Sequence, residues 1–197
     1  MSIETEVKIC IADFPKFRLQ VDALGGAMLS GRHFEDNYIF DFEDARIRQG
    51  LCLVRVRSSG AKCFLTFKGP PKRESLFKTR EELETEVGNA TIAKEILERL
   101  GMKVLFRYQK FREEYRVMSR GQTGETVCLS LDETPIGNYA ELEGSEQGIR
   151  ELAGYMGISE SSFLRASYYS LYLENCRELK KPPGDMIFPE TGNEKDI

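Results

Sequence analysis

The chain has 197 residues, long enough for one domain with a substantial core, and its 28 lysines and arginines stand against 32 aspartates and glutamates for a net charge of -4. That balance gives no global attraction to nucleic acid or to an anionic membrane, so a basic site has to be local. No apolar run approaches the roughly 20 residues of a bilayer span, and the start carries no leader-like pattern, which predicts a cytoplasmic protein.

Most of the sequence alternates with a period of two, and helical periodicity occurs in four places. In chain order, the pattern predicts a strand over 3–11, then a helix from about Pro15 to Leu24, with Asp13 as cap and Gly25-Gly26 as stop. Strands follow over 36–42, 51–58, 62–68 and 78–87. A helix from Thr91 to Leu100 ends at Gly101 and places Ile92, Ile96, Leu97 and Leu100 on one side, as a core face. A strand over 105–117, a turn at Ser119–Gly124 and strands over 126–133 and 138–144 come next. A third helix runs from Glu146 to Met156, and a fourth, capped by Ser159, from Glu160 to Arg177. The segment from Lys180 mixes proline, glycine and charge, so residues 1–178 read as one domain and 179–197 as a flexible tail.

The five cysteines (Cys10, Cys52, Cys63, Cys128 and Cys176) are widely spaced, with no CxxC pair, and read as reduced packing residues. His33 is the single histidine and reads as a strand-end residue rather than a catalytic base.

Each strand has a charged side. Glu4, Glu6 and Lys8 share one face of the first, Arg55 and Arg57 of another, and Thr66 and Lys68 of the next. Arg80, Glu82 and Glu84 follow, then Lys110 and Arg112, Asp132, and the pair Glu141 and Glu143. A solvent-facing sheet gains nothing from sorting like charges into blocks, because neighbours of one sign repel. If the sheet rolls into a barrel with these faces inward, the blocks line a shared lumen; an open curved sheet would show the same alternation. Charges in such a lumen must pair, stay wet or receive charged ligands, since burying an unpaired ion costs several kcal/mol. Paired carboxylates suit a hard divalent cation, and paired arginines and lysines suit phosphate oxygens. No GxxxxGK[ST] loop and no GxGxxG turn occurs, so a phosphate grip has to come from strand side chains.

These motifs resemble a known family. The ExExK of Glu4, Glu6 and Lys8 is followed in order by DNYIFDF from Asp36, RxR at Arg55 and Arg57, and TFKGP from Thr66. Then come RxExE at Arg80, Glu82 and Glu84, KxR at Lys110 and Arg112, LD at Asp132, ExE at Glu141 and Glu143, and the pair Ser167-Tyr168. The set is similar to that of the CYTH superfamily of class IV adenylyl cyclases and thiamine triphosphatases, the triphosphate tunnel metalloenzymes, over residues 3 to 175.

The resemblance implies an α+β fold, a closed eight-stranded antiparallel β-barrel with helices packed outside. It implies Mg²⁺ or Mn²⁺ held by Glu4, Glu6, Asp132, Glu141 and Glu143, and a triphosphate held by Lys8, Arg55, Arg57, Lys68, Arg80, Lys110 and Arg112. Glu4, Glu6, Lys8 and Glu143 would carry turnover, with Glu82 and Glu84 orienting the basic residues through salt bridges. The implied substrate is a small molecule such as tripolyphosphate, ATP or thiamine triphosphate, with neither nucleic acid nor membrane as partner. Hydrolysis of the terminal phosphate is the leading expectation; cyclisation of ATP to cyclic AMP and pyrophosphate, and non-catalytic binding of polyphosphate or nucleotide, are the alternatives.

Overall fold

Alternation shapes the molecule. The computed structural model describes residues 2–73 and 75–189. Its strands are β1 (Ser2–Ile11), β2 (Ala27–Phe42), β3 (Leu53–Ser59), β4 (Lys62–Lys68), β5 (Lys78–Glu86), β6 (Met102–Met118), β7 (Thr126–Thr134) and β8 (Gly137–Glu143). They close into an antiparallel barrel in the order β1-β5-β4-β3-β2-β6-β7-β8. Closure falls on β1, which pairs with β5 through Ser2–Glu6 and with β8 through Glu6–Ile11. The long β2–β6 pair shifts register between Met28 and Ser30, Ser30 and His33, and Ile39 and Phe40, irregularities of the kind that let long strands coil around a barrel.

Odd positions of β1 face outward. Val7, Ile9 and Ile11 pack with Phe17 and Val21 of α1 (Phe14–Ala23) and with Ile149 and Leu152 of α4 (Glu146–Tyr155), all buried. The helix stops read from the sequence hold: Gly25 and Gly101 adopt φ of 66° and 90°, a region that costs a side chain strain. A short α2 (Arg46–Gln49), unforeseen in the sequence, is fastened by Asp41, which accepts from the backbone N–H groups of Phe42, Ile47 and Arg48. No described helix is long and apolar enough to cross a membrane.

Three expectations are corrected. The stripe on α3 (Ala90–Arg99) faces out: Ile92, Ile96 and Leu100 are 52%, 54% and 68% exposed, and only Leu97 is buried. The fourth helix is broken into a 3₁₀ turn at Glu160–Ser162, an extended link, and α5 (Tyr168–Glu178) capped by Ser167. The break has a cause in the barrel wall, where β1 lacks a neighbour beyond the end of β5: Leu164 fills the gap by exchanging backbone hydrogen bonds with Lys8 at 3.0 and 2.8 Å. Finally, the tail boundary at 178 falls inside packed structure. Met186 is 1% exposed, and its backbone bonds to Gln109 and Arg107 along a β6 edge that β7 does not cover. Of the tail expected to be flexible, residues 190–197 lie outside the described residues.

Candidate functional site

Even positions of β1 put Glu4, Glu6 and Lys8 into the lumen, and the other seven strands add their charged faces to the same space. Three groupings result.

The first surrounds Glu4. Lys68 Nζ donates to both its carboxylate oxygens at 2.6 and 2.7 Å, Arg80 Nε lies 3.5 Å away, and Lys68 also reaches Glu82 at 3.1 Å. Beside them Glu6 accepts from Lys78 at 2.9 Å. Burial alone would push the Glu6 carboxyl up, but Lys78 leads the cations that bring it down to about 2. Glu143, at the end of β8 and opposite Glu6 in register, behaves in the reverse sense. It makes no ion pair among the described residues; although the residue is exposed at the strand end, partial desolvation of its carboxyl, then Glu4, push it up to about 7.

The second grouping is the most deeply enclosed. Asp132, 0% exposed, accepts from Arg112 at 2.7 and 2.6 Å, from Lys110 at 3.0 Å and from the Tyr168 hydroxyl at 2.6 Å. Glu141 accepts from Lys8 and Arg112, and Lys8 Nζ sits 4.3 Å above the Tyr168 ring. Burial opposes every one of these charges, yet Asp132 and Glu141 hold the Arg112 guanidinium well above its usual value, and Lys8 with Arg112 hold Glu141 well below the usual carboxylate range.

In the third, Arg55 lies 3.4 Å from Tyr108 and from Thr66 and 3.3 Å from Glu84, while Arg57 meets Glu35 at 3.3 Å and Glu84 at 3.1 Å. Glu35 also faces Lys110 at 3.5 Å. The Nε atoms of Arg55 and Arg57 are buried with no hydrogen-bond acceptor among the described residues, that of Arg80 has only the long approach to Glu4, and in the fully buried Asn37 amide the nitrogen has no acceptor and the oxygen no donor.

Of the basic residues singled out in the sequence, Lys8, Arg55, Lys68, Arg80 and Lys110 line one cavity, while Arg57 and Arg112 face the lumen groupings but are not among its lining residues. The structure treats the acids differently. Asp132, expected among the metal-binding acids, is enclosed by two cations and a hydroxyl, because β6 and β7 pair Arg112 directly opposite it. Among the described residues no three His, Cys, Asp or Glu side chains form a ready-made cation cage. Glu82 and Glu84 make ion pairs with Lys68 and with Arg55 and Arg57. His33 is occupied locally, its Nδ1 2.8 Å from the Gly31 carbonyl and its Nε2 3.7 Å from Glu35.

Several lumen groups escaped sequence reading. Lys78 continues the alternation of Arg80, Glu82 and Glu84 by one step, and Glu35 precedes the DNYIFDF motif by one residue. Tyr168 was noted only as part of a pair. Arg165 had no signal; it donates to the carbonyls of Lys72 at 2.6 Å and Arg73 at 3.1 Å, fastening the β4–β5 connection to the tunnel rim.

One cavity of about 480 Å³ opens from the lumen. Eight of its lining side chains are cationic (Lys8, Arg48, Arg55, Lys68, Lys78, Arg80, Lys110 and Arg165) and four are acidic (Glu4, Glu6, Asp41 and Glu141). An excess of cations in the walls of a protein of negative net charge marks a place for a polyanion.

A family model for the CYTH domain matches residues 2–168. The chain belongs to the CYTH family. Its sequence is 30% identical over 180 residues to "Putative adenylate cyclase MJ0240" of Methanocaldococcus jannaschii, covering 86% of this chain and 98% of that one. Among solved structures, PH1819 of Pyrococcus horikoshii superposes with a TM-score of 0.67 at 25% identity, covering 87% of this chain and 99% of the other. HpAC1 of Hippeastrum, described as a putative adenylyl cyclase with a dominant triphosphatase activity, superposes with a TM-score of 0.62 at 20% identity, covering 91% and 97%. The closed eight-stranded antiparallel barrel is that of the CYTH tunnel fold.

The raised Glu143 carboxyl carries a pH signature in the metal-free protein. Its folded-state value of about 7 lies above the ordinary 4.5, so between those two limits the folded protein holds more protons than the unfolded chain. The Glu143 contribution to stability is therefore full below pH 4.5 and is lost as pH rises to about 7. Urea midpoints measured across this window in chelator should fall more steeply for the wild type than for Glu143→Gln. Parallel curves would show that Glu143 titrates normally.

Proposed function

We propose that the protein is a cytoplasmic, divalent-metal-dependent enzyme that takes a triphosphate into the tunnel and hydrolyses its terminal phosphate. The observation that carries this reading is the surplus of cationic lining together with the buried Nε atom of Arg55, which has no hydrogen-bond acceptor among the described residues. Buried guanidinium N–H groups without acceptors are costly, and phosphate oxygens are the acceptors that fit them. The five cysteines are free, which suits a reducing compartment.

Lys8, Arg55, Arg57, Lys68, Arg80, Lys110 and Arg112 hold the phosphates in this reading. Arg112 and Lys110 are aimed by Asp132, and Arg55 and Arg57 by Glu84, so the cations keep their positions before substrate arrives. Asp132 is accordingly a positioning residue. The donor set of Glu4, Glu6 and Glu143 fits Mg²⁺ or Mn²⁺: all are hard oxygen donors, and Glu143 has repulsion from Glu4 that a cation would relieve. Glu141 lies one alternation inward, at the edge of this set. When bound, the cation supplies charge neutralisation at the phosphate oxygens and acidifies water. In this reading Glu143 would hold the cation as a carboxylate; its carboxyl is raised to about 7 only in the metal-free protein and would ionise when a cation entered.

The name of the Methanocaldococcus relative favours a second reading, an adenylyl cyclase in which the ribose 3′ hydroxyl attacks the α-phosphorus. The activity described for HpAC1 favours hydrolysis. Incubating the protein with ATP and with tripolyphosphate in Mg²⁺ or Mn²⁺, and separating the products, decides between them. Orthophosphate from both substrates is the expected result. Cyclic AMP with pyrophosphate from ATP would establish the cyclase, and no metal-dependent product from either would end both enzymatic readings.

A further inference from the structure

Helix α3 docks by its small residues. Its start is fixed by Asn89, whose side chain accepts from the Ile92 N–H at 3.1 Å, and it packs on the barrel through Leu97 with Ala90 and Ala93, against Phe40 and Val56. Its larger apolar side chains, Ile92, Ile96 and Leu100, repeat every four residues along the opposite side and are all more than half exposed. A helix that had only to cover the barrel would carry polar residues there, because three large side chains in one row leave a contiguous apolar surface in water.

This surface is shaped to fit itself. Beside the apolar row runs a second one, Glu95 and Arg99, joined by an ion pair at 3.2 Å, and the five side chains line a groove along the helix. Rows of residues four apart are the ridges that one helix packs into the grooves of another. Around a twofold axis at Ile96, two copies of α3 lie antiparallel, so that Ile96 meets the partner's Ile96 and Ile92 meets the partner's Leu100. The charges agree with that alignment. Glu95 comes beside the partner's Arg99, and Arg99 beside the partner's Glu95, whereas a parallel pair would set like charge on like.

We propose that α3 is the contact between two copies of this chain, an isologous helix pair with Ile96 at its centre and Glu95–Arg99 pairs at its flanks. One helix of 10 residues per copy makes a small interface, so the dimer is weak and reversible, in the micromolar range. None of the five groove residues lines the tunnel cavity, and the inference stands apart from the triphosphate reading.

The test is sedimentation equilibrium of the full chain from about 1 to about 200 µM. It compares wild type, Ile96→Glu, Glu95→Arg, Arg99→Glu and an equimolar mixture of the last two, each variant checked for folding by circular dichroism. Wild type should dimerise within this range. Ile96→Glu sets two carboxylates against each other at the axis and should raise Kd at least about a hundredfold. Each charge variant places like charges across the pair and should raise Kd at least about tenfold, while the mixture, in which every charge again faces its opposite, should return to within about threefold of wild type. The mixture cannot restore the ion pair within either helix, so its recovery reads the contact between copies. If Ile96→Glu does not fold, the charge series decides alone. A wild type that stays monomeric to the top of the range, a dimer untouched by Ile96→Glu, or a mixture no tighter than the single variants would overturn the inference.

Discussion

Asp132→Ala should destabilise the protein by about 3–5 kcal/mol, the usual result of removing one partner from a buried ion pair. Asp132 is the single anion against which β6 sets both Lys110 and Arg112, and it also receives the Tyr168 hydroxyl that ties α5 to the barrel. Without it, Lys110 keeps only Glu35 at 3.5 Å and Arg112 keeps Glu141, two cations for which burial is already unfavourable. Guanidinium chloride unfolding of the purified variant reads the loss directly. Asp132→Asn should recover part of it, since the amide oxygen still accepts but carries no charge. A loss below about 1 kcal/mol for the alanine variant would mean that water reaches this grouping and screens it.

Glu143→Gln should behave in the opposite way, lowering kcat by at least about a hundredfold while the melting temperature stays level or rises. The reasoning is electrostatic. Glu143 has no cation partner among the described residues, and desolvation, then Glu4, with Glu6 and Glu82, push its carboxyl upward, so a neutral amide removes repulsion from the tunnel. Glu4→Gln is the informative companion. Glu4 is the closer of the two anions paired with Lys68, so its neutralisation should cost both turnover and stability. If Glu143→Gln keeps turnover within about tenfold of wild type, the metal site lies elsewhere.

Much of this site was legible because the side-chain period of a strand is two. Once Glu4, Glu6 and Lys8 are placed on one face, every other strand reports its own face by the same count, and the lumen follows if the sheet closes. Closure itself was not legible from alternation: β1 pairs with both β5 and β8, and nothing local in Ser2–Ile11 specifies two partners. Glu35 was lost because β2 begins at Ala27, well before the apolar run that announces it, where bulges break the pattern. The outward stripe of α3 shows the weakness of helical periodicity by itself: Ile92, Ile96 and Leu100 repeat as a core face does, and the barrel covers the opposite side. At α5, the apolar Phe163 and Leu164 extended the predicted helix backwards across Ser167, whose capping hydrogen bond to Ser170 was the better signal.

Everything functional depends on the lumen being the place where phosphate and metal meet. A crystal soaked with a slowly hydrolysed ATP analogue and Mn²⁺ tests that directly, because manganese scatters anomalously and the phosphate chain is dense. The account predicts phosphates lying among Arg55, Lys68, Arg80 and Lys110, with the anomalous peak beside Glu4, Glu6 and Glu143. Nucleotide or manganese bound on the outer face of the barrel, with those side chains still paired as described, would contradict it.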